Sequence, residues 1–117
     1  MIVGIGIDIA DNSRFAALEI GMKKKIITQW EIAMSKEAFS ESEYLSSRFA
    51  AKEAFSKALG SGFCGISPKD IETMNDSKGK PFIKLLKDFG FNHKIHLSIS
   101  HEREMSVAMV VLEDVTL

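Results

Sequence analysis

The run over residues 47–60, SRFAAKEAFSKALG, carries charges where an ordinary amphipathic helix does not have them. Its composition predicts a helix, and at 100° per residue its apolar side chains share one broad sector with Leu45. Arg48 and Lys52 fall inside that sector, whereas Glu53 and Lys57, one turn apart, share a face at its border. Burying a charge is costly unless it meets a partner, a ligand or a metal. We therefore expect this helix to line a site or a subunit contact.

A simpler interpretation of the same charges stands beside this one. Glu53 and Lys57 are also spaced as a solvated surface pair, which is worth only about 0.3–0.5 kcal/mol. Arg48 and Lys52 are long enough to extend their charged ends to water from apolar stems. The helix alone does not decide between the two interpretations.

Bulk composition favours a single soluble domain over residues 1–117. Apolar residues make up 45% and charged residues 26% of the chain, and the formal net charge is −1, so we expect neither nucleic acid nor a membrane as a partner. Cys64 is the only cysteine, which excludes an intrachain disulfide and a cysteine-based metal site. The first residues lack the pattern of a signal peptide, and we expect a cytoplasmic protein.

Residues 2–9 alternate as a strand does. Gly4, Gly6 and Asp8 share one face, and the apolar side chains share the other. Two glycines on one strand face usually mark the close approach of another backbone or of a ligand.

The rest of the chain predicts an α+β fold with a largely antiparallel sheet, one long packed helix and shorter helices. We expect a helix capped within residues 11–13 and running towards Gly21, and a capping box formed by Thr28 and Glu31. The long helix has Ser40 or Ser42 as candidate caps, with a glycine at 60 or 62 ending it. A hairpin is predicted over residues 71–86, followed by strands over 95–100, with His101 just past the end, and over 107–112, the last one central.

The chain resembles the holo-acyl-carrier-protein synthases, the small bacterial members of the phosphopantetheinyl transferase superfamily. The resemblance is carried by segments along nearly the whole length: GIGIDI at residues 4–9, RFAAKEAFSKALG at 48–60, ISPKDIE at 66–72, GKP at 79–81 and LSISH at 97–101. Three features depart from the family pattern, one of which is the run from Lys23 to Lys25, where family members often carry arginine or lysine in another arrangement. The spacer between Glu31 and Arg48 is shorter than usual, and Phe49 stands where tryptophan is common.

The resemblance implies an Mg²⁺-dependent enzyme that transfers the 4′-phosphopantetheine arm of coenzyme A to a serine of apo-acyl carrier protein. Adenosine 3′,5′-bisphosphate leaves, and the reaction supports fatty acid biosynthesis. Asp8 and Glu53 match the family's metal ligands, and Lys57 matches its phosphate-binding lysine. Such chemistry needs charge neutralisation and positioning more than covalent catalysis, and Mg²⁺ suits carboxylates plus substrate phosphates. The base that deprotonates the serine stays open among Glu53, Asp8 and a metal-bound water.

The resemblance also implies the remaining contacts. The coenzyme A contacts it implies, besides Lys57, are Gly79, Lys80, Pro81, Ser100 and His101. The basic residues early in the chain, which suit an acidic carrier protein, are Arg14, Lys23, Lys24 and Lys25. Family members of this size form homotrimers with their sites at subunit boundaries.

Two other functional classes compete with the enzyme hypothesis. One is a non-catalytic domain of the same fold that binds coenzyme A or a nucleotide for regulation. The other is a structural subunit whose charged helix packs against a partner protein. The first would need a damaged metal pair, whereas both carboxylates and Lys57 are present.

Overall fold

The computed structural model describes residues 1–60 and 65–116 and shows an α+β fold, as the sequence predicts. Its elements are β1 (Ile2–Asp11), α1 (Asn12–Ala17), α2 (Ile20–Ile26), α3 (Gln29–Ser35), α4 (Glu41–Leu59), β2 (Ile71–Asn75), β3 (Pro81–Leu85), β4 (Lys94–His101) and β5 (Met105–Glu113). The positions of Gly62 and Cys64 lie outside the described residues.

The strands form two antiparallel sheets. One has the order β1-β5-β4 and the other pairs β2 with β3. The prediction that the last strand is central is confirmed, because β5 pairs with β1 on one side and with β4 on the other. His101 is the last residue of β4, where it pairs with Ser106, although the sequence placed it just past the strand.

The helix ends follow the predicted signals except at one break. The Ser40 hydroxyl accepts a hydrogen bond from the Glu43 backbone N–H at the start of α4, and Gly60 ends the helix with φ 79°. The predicted cap within residues 11–13 is confirmed at Asp11, but the helix does not run on towards Gly21, because the backbone is extended at Leu18 and α2 begins separately. The break lets both short helices pack on one apolar cluster that contains Leu45.

The core forms where the small residues of α4 meet the small residues of β1. A methyl group added at Gly6 would lie 2.0 Å from the Ala54 carbonyl oxygen, and one at Gly4 would lie 2.2 Å from that of Ala58. Contacts this short do not occur, so only glycine permits this approach. The prediction of close packing against the glycine face is confirmed.

Lys52 lies inside the protein and is paired. Its side chain is fully buried, and its Nζ donates to Glu31 Oε1 at 2.6 Å and to the carbonyl oxygens of Ile26 and Pro68 at 2.9 Å. Glu31 Oε2 accepts a hydrogen bond from the Thr73 N–H, and Oε1 accepts the Thr28 N–H in the predicted capping box. Burial lowers the pKa of Lys52, and the nearby Glu31 charge opposes that change.

This network corrects two expectations about Lys52. It neither extends to water nor lines a site, because its partners come from the segments that pack around α4. Such a network is costly to break, since a charge left alone in the interior has no compensation.

The other face of the three-stranded sheet is apolar and exposed. Ile5, Ile7 and Ile9 are 59–64% exposed, and Met109, which pairs with Ile7, is 40% exposed. We call these four residues the outer sheet face. A contiguous apolar patch of this kind on a folded chain marks a contact surface.

In the part of the chain that the structure describes, we find no helix whose length and apolar character would allow it to cross a membrane. The cytoplasmic location and the single domain over residues 1–117 stay predictions from the sequence.

We predict that Gly6→Ala destabilises the fold, because the added methyl group forces β1 away from α4. Overpacking of this type costs about 1–3 kcal/mol of unfolding free energy, and urea denaturation measures it. Gly21→Ala is the matched control: the added group meets nothing within 4 Å. In a helix this change stabilises by about 0.5–1 kcal/mol. A Gly6→Ala variant as stable as the wild type would contradict the packing described above.

Candidate active site

Three charged side chains meet where β1 passes over α4. Lys57 Nζ lies 3.0 Å from Asp8 Oδ1 and also donates to the Ile7 carbonyl oxygen at 3.1 Å. Glu53 is one turn before Lys57 on the same helix, and its pKa responds to both neighbours. We call Asp8, Glu53 and Lys57 the carboxylate cluster. The sequence prediction that brings these three residues together is consistent with this geometry.

The environment of Glu53 disfavours its charged form. Partial burial raises the pKa of Glu53, the nearby Asp8 carboxylate raises it further, and the Lys57 ammonium lowers it. A cation close to two neighbouring carboxylates stabilises the charged form of both. Lys57 supplies part of that charge, although about half of its side chain is exposed.

The oxygen donors present fit a hard divalent ion that is completed by other ligands. Residues 1–60 and 65–116 contain no group of three or more His, Cys, Asp or Glu side chains arranged around one point. Asp8 and Glu53 therefore offer two carboxylates and leave the remaining positions to water or substrate. Mg²⁺ is commonly bound in this way, through one or two carboxylates plus phosphate oxygens.

A second site lies at the start of α4. It is a cavity of about 280 Å³ at the end of β4 and the β2–β3 turn, and we call it the arginine cavity. The lining residues used below are Glu43, Tyr44, Arg48, Asn75, Gly79, Pro81 and His101.

Arg48 is buried in the wall of this cavity with unused hydrogen-bonding capacity. It is 6% exposed, its Nη2 donates to Asn75 Oδ1 at 2.9 Å, and its guanidinium carbon lies 4.2 Å from the centre of the Tyr44 ring. Among the described residues, Nε and Nη1 have no hydrogen-bond partner. A buried guanidinium with free donors is suited to an anion such as phosphate.

The β2–β3 turn is fastened to this wall. Asn75 Nδ2 donates to the Gly79 carbonyl oxygen at 2.9 Å, and Gly79 takes a φ of 85°, which favours glycine. Asn75 thus links Arg48 to the turn that carries Gly79 and Pro81. The sequence pattern gave no indication of this role for Asn75.

Two predicted contact residues lie elsewhere. Lys80 does not line the arginine cavity, and its backbone N–H is bonded to Asp76 Oδ1 at 2.9 Å. Ser100 is paired with Val107 and points to the outer sheet face, because neighbouring strand residues alternate. His101 points to the opposite face and lines the arginine cavity.

The predicted basic residues divide in a similar way. Arg14 and Lys25 line an apolar cavity of about 280 Å³ between α1, α2 and α4, together with Phe15, Leu18, Met22, Ile26 and Phe49. We call it the α1–α2 cavity. Lys23 and Lys24 lie in the last turn of α2 but do not line it.

Comparison with known proteins identifies the family. A family model described as the 4′-phosphopantetheinyl transferase superfamily matches residues 4–110. The holo-[acyl-carrier-protein] synthase of Halothermothrix orenii is 44% identical, with 97% of this chain and 99% of that protein covered. The chain belongs to the 4′-phosphopantetheinyl transferase superfamily. The identity to a holo-[acyl-carrier-protein] synthase over nearly the whole length of both chains makes it an enzyme of that group.

Solved structures of this superfamily share the fold. A holo-(acyl-carrier-protein) synthase from Bacillus anthracis, in complex with CoA (3′,5′-ADP), matches with a TM-score of 0.85 and 43% identity, covering 97% of both chains. The Helicobacter pylori enzyme in complex with coenzyme A matches with a TM-score of 0.81 and 32% identity, over 93% of this chain and 99% of that one. The predicted phosphopantetheinyl transferase-like fold is confirmed.

Sequence reasoning missed part of what the arginine cavity shows. Arg48 was singled out by its place in the apolar sector of α4, but it was not assigned to a site. Its burial with two free donor atoms is visible only when the β2–β3 turn is placed beside it.

We predict that Glu53→Gln raises stability near neutral pH when no divalent ion is present. The raised pKa of Glu53 means that the folded state holds this proton to a higher pH than the unfolded chain does. The stabilisation that Glu53 contributes is therefore complete below its ordinary pKa of 4.5, and it is lost as the pH rises through the raised pKa of the folded state. Urea denaturation at pH 7 and pH 4 measures the difference.

Glu113→Gln is a control in which the expected change of stability at neutral pH has the opposite sign. A hydrogen bond from His96 lowers the pKa of Glu113, so its stabilising contribution is present at neutral pH and is lost in acid. The substitution should lower stability at pH 7 only. A Glu53→Gln variant that loses stability at pH 7 in the same way would contradict the environment assigned to Glu53.

Proposed function

We propose that the protein transfers the 4′-phosphopantetheine arm of coenzyme A to a serine hydroxyl of apo-acyl carrier protein. The reaction depends on Mg²⁺, releases adenosine 3′,5′-bisphosphate and thereby supports fatty acid biosynthesis. The observation that carries this proposal is the carboxylate cluster, where Asp8, Glu53 and Lys57 meet at the crossing of β1 and α4. The relatives named above, which are holo-acyl-carrier-protein synthases, support the choice of substrates.

The carboxylate cluster suits the pyrophosphate of coenzyme A. Asp8 and Glu53 would hold Mg²⁺, which neutralises charge on the pyrophosphate when it is bound. The Lys57 side chain is about half exposed, and its ammonium contacts Asp8 and the Ile7 carbonyl oxygen within the described part of the chain, so it could turn to a phosphate. The serine oxygen would attack the β-phosphorus as the bond between that phosphorus and the nucleotide's phosphate oxygen breaks, and adenosine 3′,5′-bisphosphate would leave with that oxygen. The serine proton would pass to Glu53, to Asp8 or to a water, and these candidates for the base stay open.

The arginine cavity suits the nucleotide end of the same substrate. Arg48 offers two free donor atoms for a phosphate, and His101 adds a ring nitrogen to the lining of the same cavity. Gly79 and Pro81 form the side on which the base would rest. Lys80 and Ser100 remain proposed contacts, and their side chains would have to reach the nucleotide from outside this cavity.

We propose that the complete site is shared between copies in a homotrimer. Within one chain, Asp8, Glu53 and Lys57 do not line the arginine cavity, although a single coenzyme A must reach both groups. The outer sheet face supplies an apolar surface for subunit contact. Sedimentation equilibrium at micromolar concentration should give a trimer, whereas a fully active monomer would contradict the sharing of sites.

The α1–α2 cavity is the proposed docking place for the carrier protein. Arg14 and Lys25 stand at an apolar depression, which fits a partner that presents acidic side chains around an apolar one. Lys23 and Lys24 extend the positive charge along α2 and would act by steering the encounter.

We predict that the wild type shifts the mass of apo-acyl carrier protein by one phosphopantetheine group when coenzyme A and Mg²⁺ are present. Asp8→Asn should reduce this transfer by at least about 100-fold, because a charged ligand for the ion is lost. Intact-protein mass spectrometry measures both. Glu37→Gln removes an exposed carboxylate outside the cluster and serves as the control. Transfer by the Asp8→Asn protein at the wild-type rate would refute the assignment.

We predict that Arg14→Glu raises the KM for the carrier protein roughly 10-fold or more and changes the KM for coenzyme A little. The reason is that reversing a charge at an interface slows steered encounter with an acidic partner. Lys84→Glu makes the same charge change on an exposed residue of β3 and should leave both values near the wild type. Equal increases in both KM values for Arg14→Glu would place the docking surface elsewhere.

A further inference from the structure

The arginine cavity contains a carboxylate whose purpose the proposed function does not explain. Glu43 lines the cavity together with Arg48 and His101. A negative charge here opposes the binding of a phosphate, which the free donors of Arg48 otherwise favour. The side chain therefore needs a reason other than direct contact with the anionic substrate.

The contact between Glu43 and His101 supplies that reason. Glu43 Oε1 lies 2.6 Å from His101 Nδ1, which is the distance of a strong hydrogen bond. With the carboxylate accepting at Nδ1, the proton of the imidazole is placed on that nitrogen, and Nε2 is the ring atom left for a ligand.

Both partners are held by regular structure. Glu43 is in the first turn of α4, where its N–H is bonded to the Ser40 hydroxyl. His101 ends β4, where its backbone pairs with Ser106 of β5. The two elements thus fix the backbone positions from which the carboxylate and the ring meet.

We propose that Glu43 is a positioning residue for the nucleotide end of coenzyme A. It orients His101 so that Nε2 meets a phosphate, and it does so without touching the substrate. This inference rests on the proposed function, because it takes the phosphate of coenzyme A as the occupant of the arginine cavity.

A double-mutant cycle tests the proposal with adenosine 3′,5′-bisphosphate as the probe and calorimetry as the measurement. His101→Ala leaves the Glu43 carboxylate unpaired beside the anion. Of the three variants in the cycle, His101→Ala should therefore lose the most affinity for the nucleotide. Glu43→Gln should weaken binding less. In the double variant, Glu43→Gln should recover at least about threefold of the affinity that His101→Ala loses, which is within the coupling expected for contacting pairs.

The outcomes separate this proposal from the proposed function. A double variant whose loss equals or exceeds the product of the two single losses would overturn the positioning role. If the wild type binds the nucleotide in the arginine cavity but the two substitutions act additively, the proposed function stands and only the positioning role fails. A wild type that does not bind the nucleotide overturns both.

A spectroscopic readout distinguishes positioning from a purely structural role. Glu43→Gln should change the ¹⁵N shifts of the His101 ring nitrogens, since the charged acceptor at Nδ1 is removed. Glu41→Gln is the matched control, because it removes a carboxylate from the same first turn of α4 that pairs with Lys36 instead. Ring shifts that are unchanged by Glu43→Gln would refute the proposal, as would equal changes in both variants.

Discussion

The approach of β1 to α4 without intervening side chains is the constraint on which the rest of the structure depends. Gly4 and Gly6 bring the strand backbone against the carbonyl oxygens of Ala58 and Ala54, at distances that admit no methyl group. Because the strand lies this close, a short aspartate at position 8 reaches the face of α4 that carries Glu53 and Lys57. The site is thus a consequence of backbone packing, and the carboxylates meet because nothing larger than hydrogen separates their elements.

The two positively charged side chains inside the apolar sector of α4 have different roles. Lys52 is fully buried and is matched by Glu31 and two carbonyl oxygens, so its charge ties α4 to its neighbours. Arg48 is nearly as buried, but two of its donor atoms are unused among the described residues. A buried charge that is fully satisfied indicates structure, whereas one with free donors indicates a ligand.

The contrast between Lys52 and Arg48 shows which features of the structure can be predicted from the sequence. Alternation in residues 2–9 and the paired glycines predicted both the strand and its close packing, because each depends on local spacing. The fate of Lys52 depends on Glu31, which is 21 residues away, and no local pattern reveals that partner. The helix break at Leu18 escaped prediction for the same reason, since it serves packing against Leu45 rather than any local signal.

Asp8 and Glu53 are proposed to share one divalent cation. A crystal of the protein grown with coenzyme A and Mn²⁺ in place of Mg²⁺ would show the ion by its anomalous scattering. We expect one strong peak in contact with carboxylate oxygens of both residues and with a phosphate oxygen of coenzyme A. An ion bound to the coenzyme A phosphates with neither carboxylate among its ligands would contradict the account.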